Sequence, residues 1–464
     1  MRRRRHVAIV GGGFSGVALA AELLRSGDGL RATLLESGPR LGRGIAYGTV
    51  DPAHLLNTRA ERMSLFGDDP THFVRWNHAR GRNVASADFV ARSVYGDYLA
   101  DTLSALATRA DRGTFAAQPS TEVRDVIPLQ SGFAIALDGG ATLHADEVVL
   151  ATGHPLPSDP LSRWLPAGEP RYVRDPWRTL ELAAIGNDER VLLLGTGLTM
   201  IDVVLTLLGR GHRGTITAVS RRGLLPRVHG GTHEQLPQDI ADELRRGLAL
   251  GNLRRALRAV RGAAAAAEER GLHWQTVVDA LRTSTEILWG AFCAADRRRF
   301  VQHLRPYWDV HRHRLPPATA DRVAALVGDG RLHVRAARAR AASVTGRGIA
   351  VTLRERRGDA TAHYDWIVNC TGPSFAKQSC RGLERRLLER GLLIADPLAL
   401  GFATTPDGRA FGAHGPIQGL HVLGPACRSQ RWEHTAVPEL REQARALAVA
   451  LHRDQSAAPA LRQR

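Results

Sequence analysis

The chain has 464 residues, 44% of them apolar and 23% charged, the balance of a soluble globular protein long enough for two or three domains. No apolar run approaches the roughly 20 residues that a membrane helix needs, and Met1-Arg2-Arg3-Arg4-Arg5 leads into a strand rather than a signal-peptide core, so a cytoplasmic protein without a membrane partner is expected. The net charge is +17, but the arginines are spread along the chain and aromatics make up only 5%, which speaks against a nucleic-acid surface while leaving a field that attracts anionic ligands.

The first strand is read from His6-Val7-Ala8-Ile9-Val10, followed by Gly11-Gly12-Gly13-Phe14-Ser15-Gly16 and a helix over Val17-Ala18-Leu19-Ala20-Ala21-Glu22-Leu23-Leu24. Gly11 allows the tight turn, Gly13 lets backbone approach a pyrophosphate, and the N–H groups of the helix start, with Ser15 and Gly16, face the same phosphates. A second strand, Ala32-Thr33-Leu34-Leu35, ends on Glu36, which lies 25 positions after Gly11, the length of one strand-helix-strand unit. Its carboxylate falls where a ribose hydroxyl would sit, so this unit is expected to hold FAD.

The stretch Gly38 to Gly48, including Gly44, is too rich in glycine for a helix and suits backbone passing close to a flat ligand. His54-Leu55-Leu56-Asn57 and Arg62-Met63-Ser64 follow. Phe73 and Trp76 on the next helix are read as core rather than as cofactor-stacking rings. A helix runs from Tyr95 toward Leu106, and Val123–Leu129 and Phe133–Leu137 alternate as strands of a small sheet. The strand Glu147–Leu150 ends in Ala151-Thr152-Gly153-His154-Pro155, a small-residue turn that lets the chain pass a bound dinucleotide.

The pattern then repeats. Arg190–Leu194 leads into Gly195-Thr196-Gly197-Leu198-Thr199-Met200, and the strand Thr215–Val219 ends at Ser220-Arg221-Arg222, with Ser220 again 25 positions after Gly195. Serine and two arginines in place of an acid suit a 2′-phosphate, so the second unit is expected to hold NADH or NADPH with a leaning to NADPH. Met200 in the place of the third glycine implies looser helix–strand packing. A second small-residue turn, Asn369-Cys370-Thr371-Gly372, follows the strand Trp366-Ile367-Val368.

Between Leu236 and Leu326 the pattern is helical, with candidates at 240–250, 253–260, 274–281 and 292–304 and a low-complexity helix or linker at Gly262–Ala267. The polar cluster His303, Arg305, Tyr307, Trp308, Asp309, His311, Arg312, His313 and Arg314 is either a structural network or a substrate-facing patch. His311 and His313 are two positions apart and share no helix face, so no metal is expected. Leu420-His421-Val422-Leu423-Gly424-Pro425 reads as a strand closing on the flavin, and Trp432–Arg441 as the opening of the last helix, whose N-terminus would favour the charge of a reduced flavin. The four cysteines, Cys293, Cys370, Cys380 and Cys427, form no C-x-x-C pair, so electron transfer through a neighbouring dithiol is not offered.

These segments imply an α/β protein of two Rossmann-like dinucleotide-binding domains with a helical insertion: 1–160 and 369–464 for FAD, 161–235 and 331–368 for NAD(P), and 236–330 as the insertion. The combination GGGFSG, LGRGIAYG, HLLNTRAERMS, GTGLTMIDV, NCTGP and WEHTAVPELREQA resembles bacterial FAD/NAD(P)-binding proteins whose characterised member is the FAD-dependent urate hydroxylase. More distantly it is similar to flavin-containing and N-hydroxylating monooxygenases. The resemblance implies reduction of FAD by NAD(P)H, uptake of O2 as a flavin C4a-hydroperoxide and oxygen transfer to a small molecule, with urate, converted to 5-hydroxyisourate in purine degradation, as the specific expectation. A flavin oxidoreductase or N-hydroxylase acting on another small substrate is the alternative. The expected cofactor-binding set is Gly11, Gly13, Ser15, Gly16, Glu36, Gly44, Asn57, Met63, Ser64, Val126, Thr152, Gly153, Gly195, Gly197, Thr199, Ser220, Arg221, Arg222, Thr371, Gly372 and Gly424; no catalytic side chain is assigned. In N-hydroxylating relatives an aspartate commonly follows the glycine of the C-terminal strand, and here Pro425 stands there.

Overall fold

The computed structural model describes residues 4–27, 29–230, 234–249 and 251–457. The chain divides into two compact units, one of residues 1–52, 58–155 and 374–464, the other of residues 53–57 and 156–373. The segment carrying Asn57 thus groups with the second unit, and the crossing points fall at 155/156 and 373/374, a few residues from the boundaries expected at 160 and 368.

The first unit is built on a six-stranded sheet in the order Arg409–Gly412, Gly415–Val422, Glu147–Leu150, Arg5–Val10, Leu30–Leu35, Phe115–Gln118. Its central pairs are parallel, and the strands from Arg5, Leu30 and Glu147 are almost wholly buried, which is why they read as continuous apolar runs rather than alternating ones. A parallel sheet opens its ligand crevice at the carboxyl ends of its strands, where Val10, Leu35 and Leu150 stop side by side. Val123–Pro128, Phe133–Leu137 and Thr142–Ala145 form a separate antiparallel sheet. Phe73 is fully buried with its ring edge-on to Tyr95 at 5.2 Å, and Trp76 packs 5.5 Å from Tyr98, so both aromatics are core.

The second unit repeats the plan. Its sheet runs Leu332–Ala336, Ile216–Ser220, Val191–Leu194, Trp366–Asn369, Tyr172–Val173, all parallel, with Arg338–Thr345, Gly348–Glu355 and Gly358–Tyr364 as an antiparallel side sheet. Met200 is fully buried in the core beside Ile201, Val203 and Leu205.

Several local expectations are corrected or made definite. The loop at 38–48 contains one helical turn, Gly44–Tyr47. The alanine run at 263–267 is the interior of a 17-residue helix, Leu253–Glu269, capped by the Asn252 side chain, because alanine is the strongest helix former. The helix expected at 292–304 starts at Ala294, after a break that separates it from Thr285–Ala291, and runs as Ala294–Arg299 through a π-helical turn Phe300–Leu304 into Arg305–Arg312. The last helix begins at Val437, with Pro438 in its first turn, where the missing N–H has no helical partner to lose. Among the described residues, no helix is long and apolar enough to cross a membrane.

Candidate functional site

Each sheet ends in the same device. Gly11 sits at φ +109°, and a Cβ there would lie 2.3 Å from the carbonyl oxygen of Ala151 on the neighbouring strand. Gly195 sits at φ +119°, and its Cβ would lie 2.3 Å from the carbonyl oxygen of Cys370. Only glycine accepts both the left-handed backbone and the missing space. In both units the following helix starts one residue after a second glycine: Gly13 caps Phe14–Arg25 and Gly197 caps Leu198–Gly209, neither with a side-chain cap. The free N–H groups of each helix start therefore face outward at the strand ends, the arrangement that receives a phosphate.

In the first unit this turn opens on a cleft of about 790 Å³, within the range of a large cofactor site. Gly11, Gly13, Ser15, Glu36, Gly44, Thr152 and Gly153 all line it. Gly16 lies behind, packed on the Gly11 carbonyl. Glu36 accepts the N–H of Gly12 at 2.6 Å and that of Gly38 at 2.7 Å, which fixes the carboxylate at the cleft while leaving lone pairs for ribose hydroxyls. Gly424 lies against Ser15 and donates its N–H to Gln443, while Pro425 lines the cleft in its place.

Besides Gly16 and Gly424, four expected residues do not line this cleft. Asn57 lies in the segment grouped with the second unit, where its carbonyl accepts from His229. Met63 and Val126 are buried packing residues; Val126 shares one core cluster with Val123, and of the two only Val123 also reaches the cleft. Ser64 is buried with its hydroxyl donating to the Asp69 carbonyl.

The cleft also contains residues that the motifs did not identify. Arg43 reaches from the 38–48 loop to the Ser93 carbonyl and the Asp97 carboxylate. The helix Gly382–Glu389 brings Leu383 and Glu384, with Arg381 before it, to the wall, and Thr152 donates its hydroxyl to Glu384 at 2.7 Å. Burial raises the Glu384 pKa, opposed by that hydrogen bond. His154 lines the cleft beside Phe375, its Nδ1 buried without a hydrogen-bond partner; burial, aided by the Arg428 charge, lowers its pKa to about 4. No sequence signal marked Glu384, because its helix is an ordinary amphipathic segment.

In the second unit the strand end at Ser220 carries a concentration of positive charge. Burial lowers the Arg221 pKa first, and the charges of Arg338, Arg305 and Arg222 lower it further. Four guanidiniums thus gather near this strand end, Arg305 among them paired with Asp309. The Ser220 hydroxyl is engaged within the turn: it lies 2.9 Å from Thr196 Oγ1, which donates to the Leu224 carbonyl, and it accepts the Gly223 N–H. Ser220 is thereby held within the turn itself. Gly197 faces open space, Thr199 is half-buried in the helix's first turn, and Thr371 is tied to Asn369 Oδ1 at 2.7 Å with Gly372 beside it at positive φ. Among the described residues no group of three or more His, Cys, Asp or Glu side chains is placed to hold a metal.

The two sheets, each with its glycine turn, define a chain of the two-dinucleotide class. Residues 8–155 match the FAD-NAD(P)-binding family profile, so this segment is an FAD-NAD(P)-binding domain. Among solved structures, the fold is similar to ornithine hydroxylase from Pseudomonas aeruginosa, with a TM-score of 0.66 at 16% identity over 97% of this chain and 99% of that one. It is similar also to the ornithine N-hydroxylase of Kutzneria sp. 744, at 0.65 and 16% over 98% and 100%, and to L-lysine 6-monooxygenase from Pseudomonas syringae, at 0.62 and 18% over 96% and 99%. No curated protein matches the chain in sequence.

Proposed function

We propose that the protein is an FAD-dependent, NAD(P)H-consuming monooxygenase that N-hydroxylates a small amine. The observation that carries this reading is the paired device, Gly11 against Ala151 and Gly195 against Cys370, which equips one chain with a flavin turn and a nicotinamide turn. The same general fold also serves disulfide reductases such as the thioredoxin reductase of T. acidophilum, similar at a TM-score of 0.53 and 12% identity over 98% of this chain and 100% of that one. The cysteines distinguish the two: all four are free, and burial pushes the Cys380 thiol up to about 12 and the Cys427 thiol up to about 11. Thiols held neutral and unpaired are poor electron relays.

The first cleft fits a flavin dinucleotide: Glu36 would take the adenosine ribose, Gly11, Gly13 and Ser15 the pyrophosphate, and the unpartnered His154 Nδ1 a polar edge of the cofactor. Bound FAD, once reduced, would supply activation of O2 for transfer of one oxygen atom to the substrate nitrogen. Gly195, Gly197 and Thr199 would orient the nicotinamide cofactor, with Arg221 and Arg222 on a 2′-phosphate, which favours NADPH. His154, lowered to about 4 mainly by burial, remains neutral near pH 7 at the cleft wall.

Urate hydroxylation rests on the sequence resemblance, and nothing in the geometry selects a purine. A screen of diamines, basic amino acids, other amines and urate for stimulated NAD(P)H oxidation, scored for hydroxylamine against hydrogen peroxide, tests the reading. An amine yielding one hydroxylamine per NAD(P)H supports it. Peroxide alone with every amine, or coupled turnover with urate only, overturns it.

A further inference from the structure

The helical insertion carries a half-open cavity of about 520 Å³ that none of the glycine-turn residues lines. It lies among the helices Leu253–Glu269, Gln275–Leu281, Thr285–Ala291 and Arg305–Arg312 with the π-turn Phe300–Leu304. Its walls are the side chains of Leu257, Trp274, Val277, Phe292, Phe300 and Trp308. Helices pack to crystal-like density, and a void of this size forfeits the contacts of every side chain around it. Small residues line it where bulk would have closed it: Ala256 and Ala264 sit on the helix whose neighbouring positions carry Leu257 and Val260. The break at Phe292 and the π-turn have the same effect, turning Phe292 and Phe300 into the wall instead of continuing one straight helix.

Charge says what end the occupant has. Arg261 is the only Lys, Arg, Asp or Glu among the described residues lining the cavity; it is exposed and has no ion-pair or hydrogen-bond partner among the described residues. A guanidinium at the mouth of an apolar chamber, with no lining acid to neutralise it, matches an amphipathic anion: an apolar body inside and a carboxylate at the rim.

We propose that this cavity is a binding site for a small amphipathic carboxylate, held by its apolar body in the helical insertion and by its head at Arg261. The site is separate from the residues expected to hold either dinucleotide. The test uses the full-length, FAD-loaded protein titrated with hexanoate, octanoate, decanoate and dodecanoate below their micellar concentrations, read by tryptophan fluorescence and calorimetry. Affinity should rise about fourfold per added methylene until the cavity is full. Arg261→Gln should weaken carboxylates about fivefold and leave the matching alcohols unchanged. Ala264→Phe, which fills the chamber, should abolish binding of both series with circular dichroism and flavin absorbance unchanged; Val278→Trp repeats the test from the facing helix should that variant not fold. No saturable binding at millimolar ligand overturns the proposal, as do equal binding by the filled variants and a dimer that dissociates when the cavity is filled, since the occupant would then be a second copy.

Discussion

Replacing Gly11 or Gly195 by alanine separates the two turns. At either position the new Cβ lies 2.3 Å from a carbonyl oxygen of the neighbouring strand, Ala151 in one unit and Cys370 in the other. Contact at that distance forces the strand end to move, at about 1–3 kcal/mol for overpacking. The backbone, at φ +109° or +119°, adds about 1–3 kcal/mol of strain in a region that alanine rarely adopts. Together these amount to roughly 2–6 kcal/mol against a domain stability of about 5–15, enough to open the turn without unfolding the unit. In a domain of this size a loss near 4 kcal/mol lowers Tm by about 8–16 °C. The strain is local, so each variant should lose its own cofactor. Gly11→Ala purifies pale with FAD released; Gly195→Ala stays yellow but is no longer reduced by NAD(P)H in anaerobic stopped flow. A Gly195→Ala protein that loses FAD while still reducing added flavin, or a fully yellow Gly11→Ala with unchanged Tm, would refute the assignment of one turn to each cofactor.

Removal of either arginine at the second turn, Arg221→Ala or Arg222→Ala, should raise KM for NADPH about tenfold while changing KM for NADH little; equal changes for both cofactors would show that neither guanidinium reads a 2′-phosphate. Glu36→Gln should weaken FAD about tenfold or more, because the carboxylate both accepts the Gly12 and Gly38 N–H groups and faces the ribose, and apoprotein titration with FAD measures it. The pH dependence follows from His154 and His434, whose folded pKa values of about 4 lie below the ordinary histidine value of 6.5. The unfolded chain binds more protons between those limits, so stability is full above about pH 7 and falls as pH drops from 6.5 toward 4. Melting curves across that range should show His434→Gln flattening the slope, and a slope identical to wild type would count against buried neutral His434.

Local pattern alone identified both dinucleotide turns, because a buried parallel strand is a short apolar run, a glycine turn is written in adjacent residues, and the acid or arginine at the next strand end arrives at a fixed distance. The positions of Glu36, Arg221 and Arg222 at the ends of the second strand of each unit were legible for that reason. The residues that only tertiary structure brought to the first cleft come from the chain's distant returns. Glu384 reaches Thr152 across 232 positions, and nothing in its amphipathic helix marks it as part of a cleft wall. Asn57, Met63, Ser64 and Val126 do not line the first cleft, because proximity in sequence to a motif does not tell which way a side chain points, or which unit it joins. Ser220 shows the finer limit: it ends the second strand as read, but its hydroxyl is engaged with Thr196 and the Gly223 N–H, a contact that no spacing rule records. The split at Phe292 and the chamber it walls belong to the same class. A helix break depends on what packs around it, and the volume left between helices is a property of their arrangement rather than of any one segment.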